Sequence, residues 1–70
     1  MGRQVVIDDA KINETMAKKK MSISKLAKAY GVSRSRIHVI LNSRTITPVC
    51  AGRLAEALGV DVTEIMETEN

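Results

Sequence analysis

Seventy residues with a net charge of +3, a single aromatic residue (Tyr30) and a single cysteine (Cys50) make one small domain, which excludes a large enzyme architecture and an internal disulfide. The charge is unevenly spread: no Asp or Glu stands between Thr15 and Ala55, where Lys18, Lys19, Lys20, Lys25, Lys28, Arg34, Arg36, Arg44 and Arg53 give +9, against −1 before and −5 after. An acid-free middle between acidic ends suits a polyanion-binding face, and with no secretory pattern and no apolar run of membrane-spanning length the expectation is a cytoplasmic protein that engages no membrane.

The core must come from Ile, Leu, Val, Met and Ala, which favours short helices packed on one another and hence an all-α bundle. In chain order, Gln4-Val5-Val6-Ile7 is a β-favouring run within a strand-like arm over residues 1–7, able to pair with Thr45-Ile46-Thr47 or with a second copy of itself. Asp8 or Asp9 caps a first helix that runs to about Lys19 and buries Ile12, Met16 and Thr15. Ser22 caps a second helix, along which Leu26, Ala27 and Tyr30 form the inner face. Gly31 ends it in the left-handed conformation, and Val32 fills the angle. Ser33 caps a third helix whose Ile37, Ile40 and Leu41 recur at helical spacing. Helix, glycine-containing turn and helix together form a helix-turn-helix.

Beyond the third helix, Asn42-Ser43-Arg44 reads as an exit. Thr47 and Pro48 then restart the chain as a helix with Ala51, Leu54, Ala55 and Leu58 on one face. Gly52 within it costs roughly 1 kcal/mol against alanine and is expected to mark a close approach of another element. Gly59 closes this helix, and Asp61-Val62-Thr63-Glu64 resembles a capping box for a last short helix carrying Ile65 and Met66. Residues 67–70 are expected to fray. The chain 1–70 is one domain without repeat or linker.

With Ile37 and Ile40 turned inward, Arg34, Ser35, Arg36, His38 and Val39 share the outer side of the third helix. Such a face can read base edges in a major groove, where an arginine binds the O6 and N7 of guanine bidentately. Lys20, Ser22 and Lys28 on the preceding segment are candidates for phosphate.

The run Met21-Ser22, Leu26-Ala27, Gly31-Val32-Ser33, Ile37, Ile40, Asn42, Pro48 and Ala57-Leu58-Gly59-Val60 resembles the lambda-repressor and Cro-like helix-turn-helix family, over about residues 9–67. The resemblance implies a five-helix DNA-binding domain, its second and third helices forming the reading unit, usually acting as a dimer in transcriptional control. It implies base contacts at Arg34, Ser35 and Val39 and phosphate contacts at Ser33, Asn42 and Arg44, with Arg36 and His38 between the two classes. Three positions depart from the family's usual residues. Ile23 stands where glutamine is frequent, Leu41 where an acid is usual, and Lys20 where a glycine often follows the first helix, so that a non-glycine residue meets a strained turn.

Other chemistries find little support. His38 and Cys50 are single, lie on different helices and have no nearby carboxylate, so neither a nucleophile-base pair, nor a metal site, nor a cofactor is expected. One aromatic residue supplies no stacking platform for single strands or RNA. The expected function is therefore sequence-specific binding of double-stranded DNA as a homodimer in transcription regulation. Its interface is expected at the C-terminal Ile65 and Met66 and near Leu58 rather than at Val5-Val6-Ile7. The alternative is a protein-interaction module, an antitoxin-like or adaptor subunit, that Val39, Leu41 and Ile23 would favour if exposed.

Overall fold

The structure is a computed structural model and describes residues 3–67. Four α-helices and a two-stranded antiparallel sheet follow in the order β1 (Val5–Val6), α1 (Asp9–Lys18), α2 (Ile23–Tyr30), α3 (Arg34–Asn42), β2 (Thr45–Ile46) and α4 (Pro48–Leu58), before a single 3-10 turn over Val62–Glu64. Each helix begins where a side chain supplies the missing acceptor. Asp8, Ser22, Ser33 and Thr47 accept from the backbone N–H of Lys11, Lys25, Arg36 and Cys50, which offsets part of the unsatisfied first turn. Gly31 (φ 98°) and Gly59 (φ 74°) end α2 and α4 in the left-handed conformation. Lys20 takes the same region with φ 53°, a cost of roughly 1–2 kcal/mol for a residue with a Cβ.

The helix-turn-helix is α2, the Gly31-Val32-Ser33 corner and α3. α2 packs on α3 through one side and on α4 through another. Ile12, Leu26, Ile37, Leu54, Leu58 and Ile65 are the largest fully buried side chains, and among the described residues the core holds no buried polar or charged group. Val32 packs against this cluster from the corner.

The N-terminal arm pairs as the sequence allows, Val5 with Ile46 and Val6 with Thr45. It is also held on its other side. Ile7 bridges to Met66, the Asp8 N–H donates to the Ile65 carbonyl at 2.8 Å, and the Glu67 N–H donates to the Val6 carbonyl at 3.0 Å. Lys11 Nζ adds a hydrogen bond to the Met66 carbonyl at 2.9 Å.

That second flank corrects several expectations. The fifth helix is only the 3-10 turn: the capping box of Asp61 and Glu64 forms, but Ile65 and Met66 are drawn out to bridge the arm instead of continuing a helix. Ile65 is fully buried and Met66 half-buried, so Ile65 is core and is not available as a dimer surface, and Leu58 is likewise sealed. Gly52 approaches nothing, since a Cβ built there meets no atom within 4 Å. Thr15 is half-buried and donates its hydroxyl to the Lys11 carbonyl. Of the tail, Glu67 is held by the arm, while 68–70 lie outside the described residues, as do the first two residues of the arm.

Ile65→Ala should lower stability by about 2–5 kcal/mol, the range for emptying a buried isoleucine site. Urea unfolding checks this, and a loss below about 1 kcal/mol would mean that the C-terminal segment is dispensable to the core.

Candidate nucleic-acid interface

α3 is amphipathic because Ile37 and Ile40 fall on the side that meets α2, where both are buried. The opposite side follows from that choice. Arg34, Ser35, Arg36, His38 and Val39 are all exposed, and Val39 is an exposed large apolar residue at 53%. The five residues expected at base edges thus share one helix. Ser33 ends the corner and its Oγ accepts from the Arg36 N–H at 3.2 Å, so its hydroxyl proton remains free to donate.

The expected phosphate residues are all exposed. Lys20 and Ser22 border the start of α2, and Ser22 Oγ accepts from the Lys25 N–H at 3.1 Å. Lys28 stands in the last turn of α2. Asn42 closes α3, and Arg44 follows in the exit, where its guanidinium pairs with the Glu67 carboxylate at 3.3 Å. An ion pair as exposed as this one contributes little and exchanges readily for another anion.

Electrostatics favours anions here. α2, α3 and α4 carry no acidic residue in their first turns, unlike α1, so the positive ends of three helix dipoles are left uncompensated. The lysine cluster is not uniform, however: Lys19 Nζ donates to the Gly59 carbonyl at 3.3 Å, which directs it to the C-terminal end of α4.

Ile23 and Leu41 are half-buried and pack against the core. Two of the three residues that would favour a protein-binding surface are thereby engaged internally. His38 is exposed on α3, whereas Cys50 is half-buried on α4, and no group of three or more His, Cys, Asp or Glu able to hold a metal occurs among the described residues. No helix is long and apolar enough to cross a membrane.

Sequence reasoning missed a groove between α3 and α4. Arg36 and Val39 line one side, Val49 and Arg53 the other, with Tyr30 and Cys50 between them. The Tyr30 hydroxyl and Cys50 Sγ share a hydrogen bond at 3.0 Å, and the Arg53 guanidinium stands 4.7 Å from the Tyr30 ring centre. Val49 is partly legible in the sequence: it falls off the Ala51, Leu54, Ala55 and Leu58 stripe, and it is 74% exposed. The closeness of Arg53 to Tyr30 depends on how α4 crosses α2, which no local pattern reports.

Burial, then the Cys50 hydrogen bond and charge, push the Tyr30 phenol above its usual 10.0, and Arg53 and Arg36 only partly offset this. The unfolded chain therefore loses the phenolic proton first as the pH rises. Tyr30 contributes stability that is complete below about pH 10 and declines above it. Tyr30→Phe should unfold less steeply with alkaline pH than the unmodified chain, as thermal melts from about pH 8 to 11 would register. Identical alkaline profiles would rule out any contribution from the phenol.

In comparison with known families, the chain matches the model of the Cro/C1-type HTH DNA-binding domain over residues 11–70. No curated protein and no solved structure matched. The matched region takes in α2, the Gly31 corner and α3, where the helix-turn-helix is built and its outer face left free. On that match and that architecture, the chain belongs to the Cro/C1-type helix-turn-helix DNA-binding domain family.

Proposed function

We propose that this chain is a sequence-specific regulator of transcription that reads the major groove of double-stranded DNA with α3, as a homodimer on an inverted repeat. The observation that carries this is the outer face of α3, where Arg34, Ser35, Arg36, His38 and Val39 are all exposed over a buried Ile37 and Ile40. Arg34, in the first turn, reaches furthest toward a guanine edge, and Val39 offers a methyl surface to thymine. Ser35 and His38 supply hydrogen-bonding groups beside them. Lys20, Ser22, Lys28, Ser33, Asn42 and Arg44 fix the register through phosphates, Arg44 exchanging Glu67 for the DNA backbone.

The dimer is proposed from specificity rather than from a surface. One short helix covers few base pairs, and two copies related by a two-fold axis double the site, with half-site centres roughly 34 Å apart. Since Ile65 and Leu58 are core, the interface must use other residues. Exposed Val39 and Val49 keep a protein-binding module as the second reading, but arginines flank both of them and no acid lines the groove that they share.

Arg34→Ala should weaken the preferred site by about 1–3 kcal/mol while changing binding to random duplex much less. Shift assays on a site selected from a random library would measure both, and equal losses on the two duplexes would reassign Arg34 to phosphate. Sedimentation of the free protein, with binding to one half-site and to the full site, tests the dimer. A monomer that binds a half-site as tightly as the full site rules it out.

A further inference from the structure

We propose that the groove between α3 and α4 holds a DNA backbone phosphate between Arg36 and Arg53, which makes Arg53 a further phosphate-binding residue that positions the domain on its duplex. This inference rests on the DNA-binding function proposed above. The groove has a volume of about 400 Å³, and no Asp or Glu is among its lining residues. Its two guanidiniums come from different helices, Arg36 from α3 and Arg53 from α4, so an anion between them would be gripped from two sides.

Arg53 is already held in the orientation this requires. Its guanidinium lies 4.7 Å from the centre of the Tyr30 ring, and Nη2 donates to the Tyr30 carbonyl at 3.3 Å. One hydrogen bond uses one of five N–H donors. Held over the ring and by that one bond, the guanidinium keeps further N–H donors, and a group fixed in this way loses less entropy on taking a phosphate than a freely rotating one does. The N-terminal end of α4, capped by Thr47 and without an acid in its first turn, borders the same groove and adds the positive end of its dipole.

The surroundings favour nucleic acid over a second copy of this chain. A two-fold contact at this groove would bring Arg36 and Arg53 against their own equivalents, like charges with no carboxylate lining the groove to separate them. Val39 and Val49, exposed at its rim, give apolar surface for sugar carbons beside the phosphate. The same groove is continuous with the outer face of α3 through Arg36 and Val39, so one duplex can engage both.

The test is a salt series on the full chain and its Arg53→Gln, Arg53→Lys and Arg36→Gln variants, with both a selected site and random duplex. Losing one phosphate contact from each of the two subunits should lower the slope of log affinity against log salt by about 1.8, so that a fourfold rise in salt costs the unmodified chain roughly twelvefold more affinity than Arg53→Gln. Arg36→Gln should lower the slope similarly. Arg53→Lys, which keeps the charge, should retain most of it. The preference for the selected site should stay unchanged in Arg53→Gln. If Arg53 only braces α4 against Tyr30, Arg53→Gln will lower thermal stability but keep the full slope, and that result overturns the proposal. A constant unfolded fraction shifts the intercept and not the slope, so poor folding does not mask the answer. Salt-insensitive or absent DNA binding by the unmodified chain would overturn the DNA-binding function itself, and this inference with it, whereas a steep slope equal in all variants overturns this inference alone.

Discussion

Burial of Leu26 on α2 and Ile37 on α3 in one core is the constraint on which the rest of the molecule depends. Both side chains are fully enclosed, and in a chain this small the loss of either would remove a large share of the apolar surface available. The burial of Ile37 fixes the rotation of α3 about its own axis. Once Ile37 points inward, the helical period turns Ser35, His38 and Val39 to the outer side, and Arg34, one turn ahead of Ile37, is exposed as the first residue of the helix. Gly31 serves the same end, because its left-handed conformation lets the chain turn within a single residue and bring Ser33 to the head of α3. Core and interface are thus two faces of one helix, set by one packing decision.

The charges are arranged around this scaffold without entering it. Among the described residues no charged side chain is buried, so the domain avoids the large cost of enclosing any of its many bases. The cations of the middle segment repel one another, which an approaching polyanion relieves. The acids meanwhile gather toward the ends: Glu67 meets Arg44 at the exit of α3, and the Asp61 carboxyl is held below its usual range by its hydrogen bonds to Thr63. Glu67 thereby brings an acid from the end of the sequence back to a base of the acid-free middle.

Features governed by short-range chemistry are legible in the sequence alone. The caps at Asp8, Ser22, Ser33, Thr47 and Asp61, the glycine exits at Gly31 and Gly59 and the inward stripe of each helix all arise within one or two turns, where side chain and backbone are neighbours along the chain. The outer face of α3 is legible for the same reason, being the complement of its apolar stripe. What stays hidden is set by distant partners. Ile65 and Met66, beside acids and near a chain end, resemble an exposed helix until the arm draws them out. Arg53 looks like one more surface base until α4 is laid across Tyr30. Lys20 shows both sides of this: its strained turn is readable from the missing glycine, whereas nothing local says what holds it there.

The central position of the N-terminal arm, with β2 on one side and residues 65–67 on the other, has a consequence for biosynthesis. The arm leaves the ribosome before its outer partner does. During translation α2 and α3 can dock as soon as both have emerged, because their contacts are local. The arm, however, must wait with one edge unpaired until the segment around Met66 has cleared the exit tunnel, and an unpaired edge is open to other chains. Closure at this second edge thus comes last, and a nascent chain from which Ile65 has not yet emerged would have its core still open.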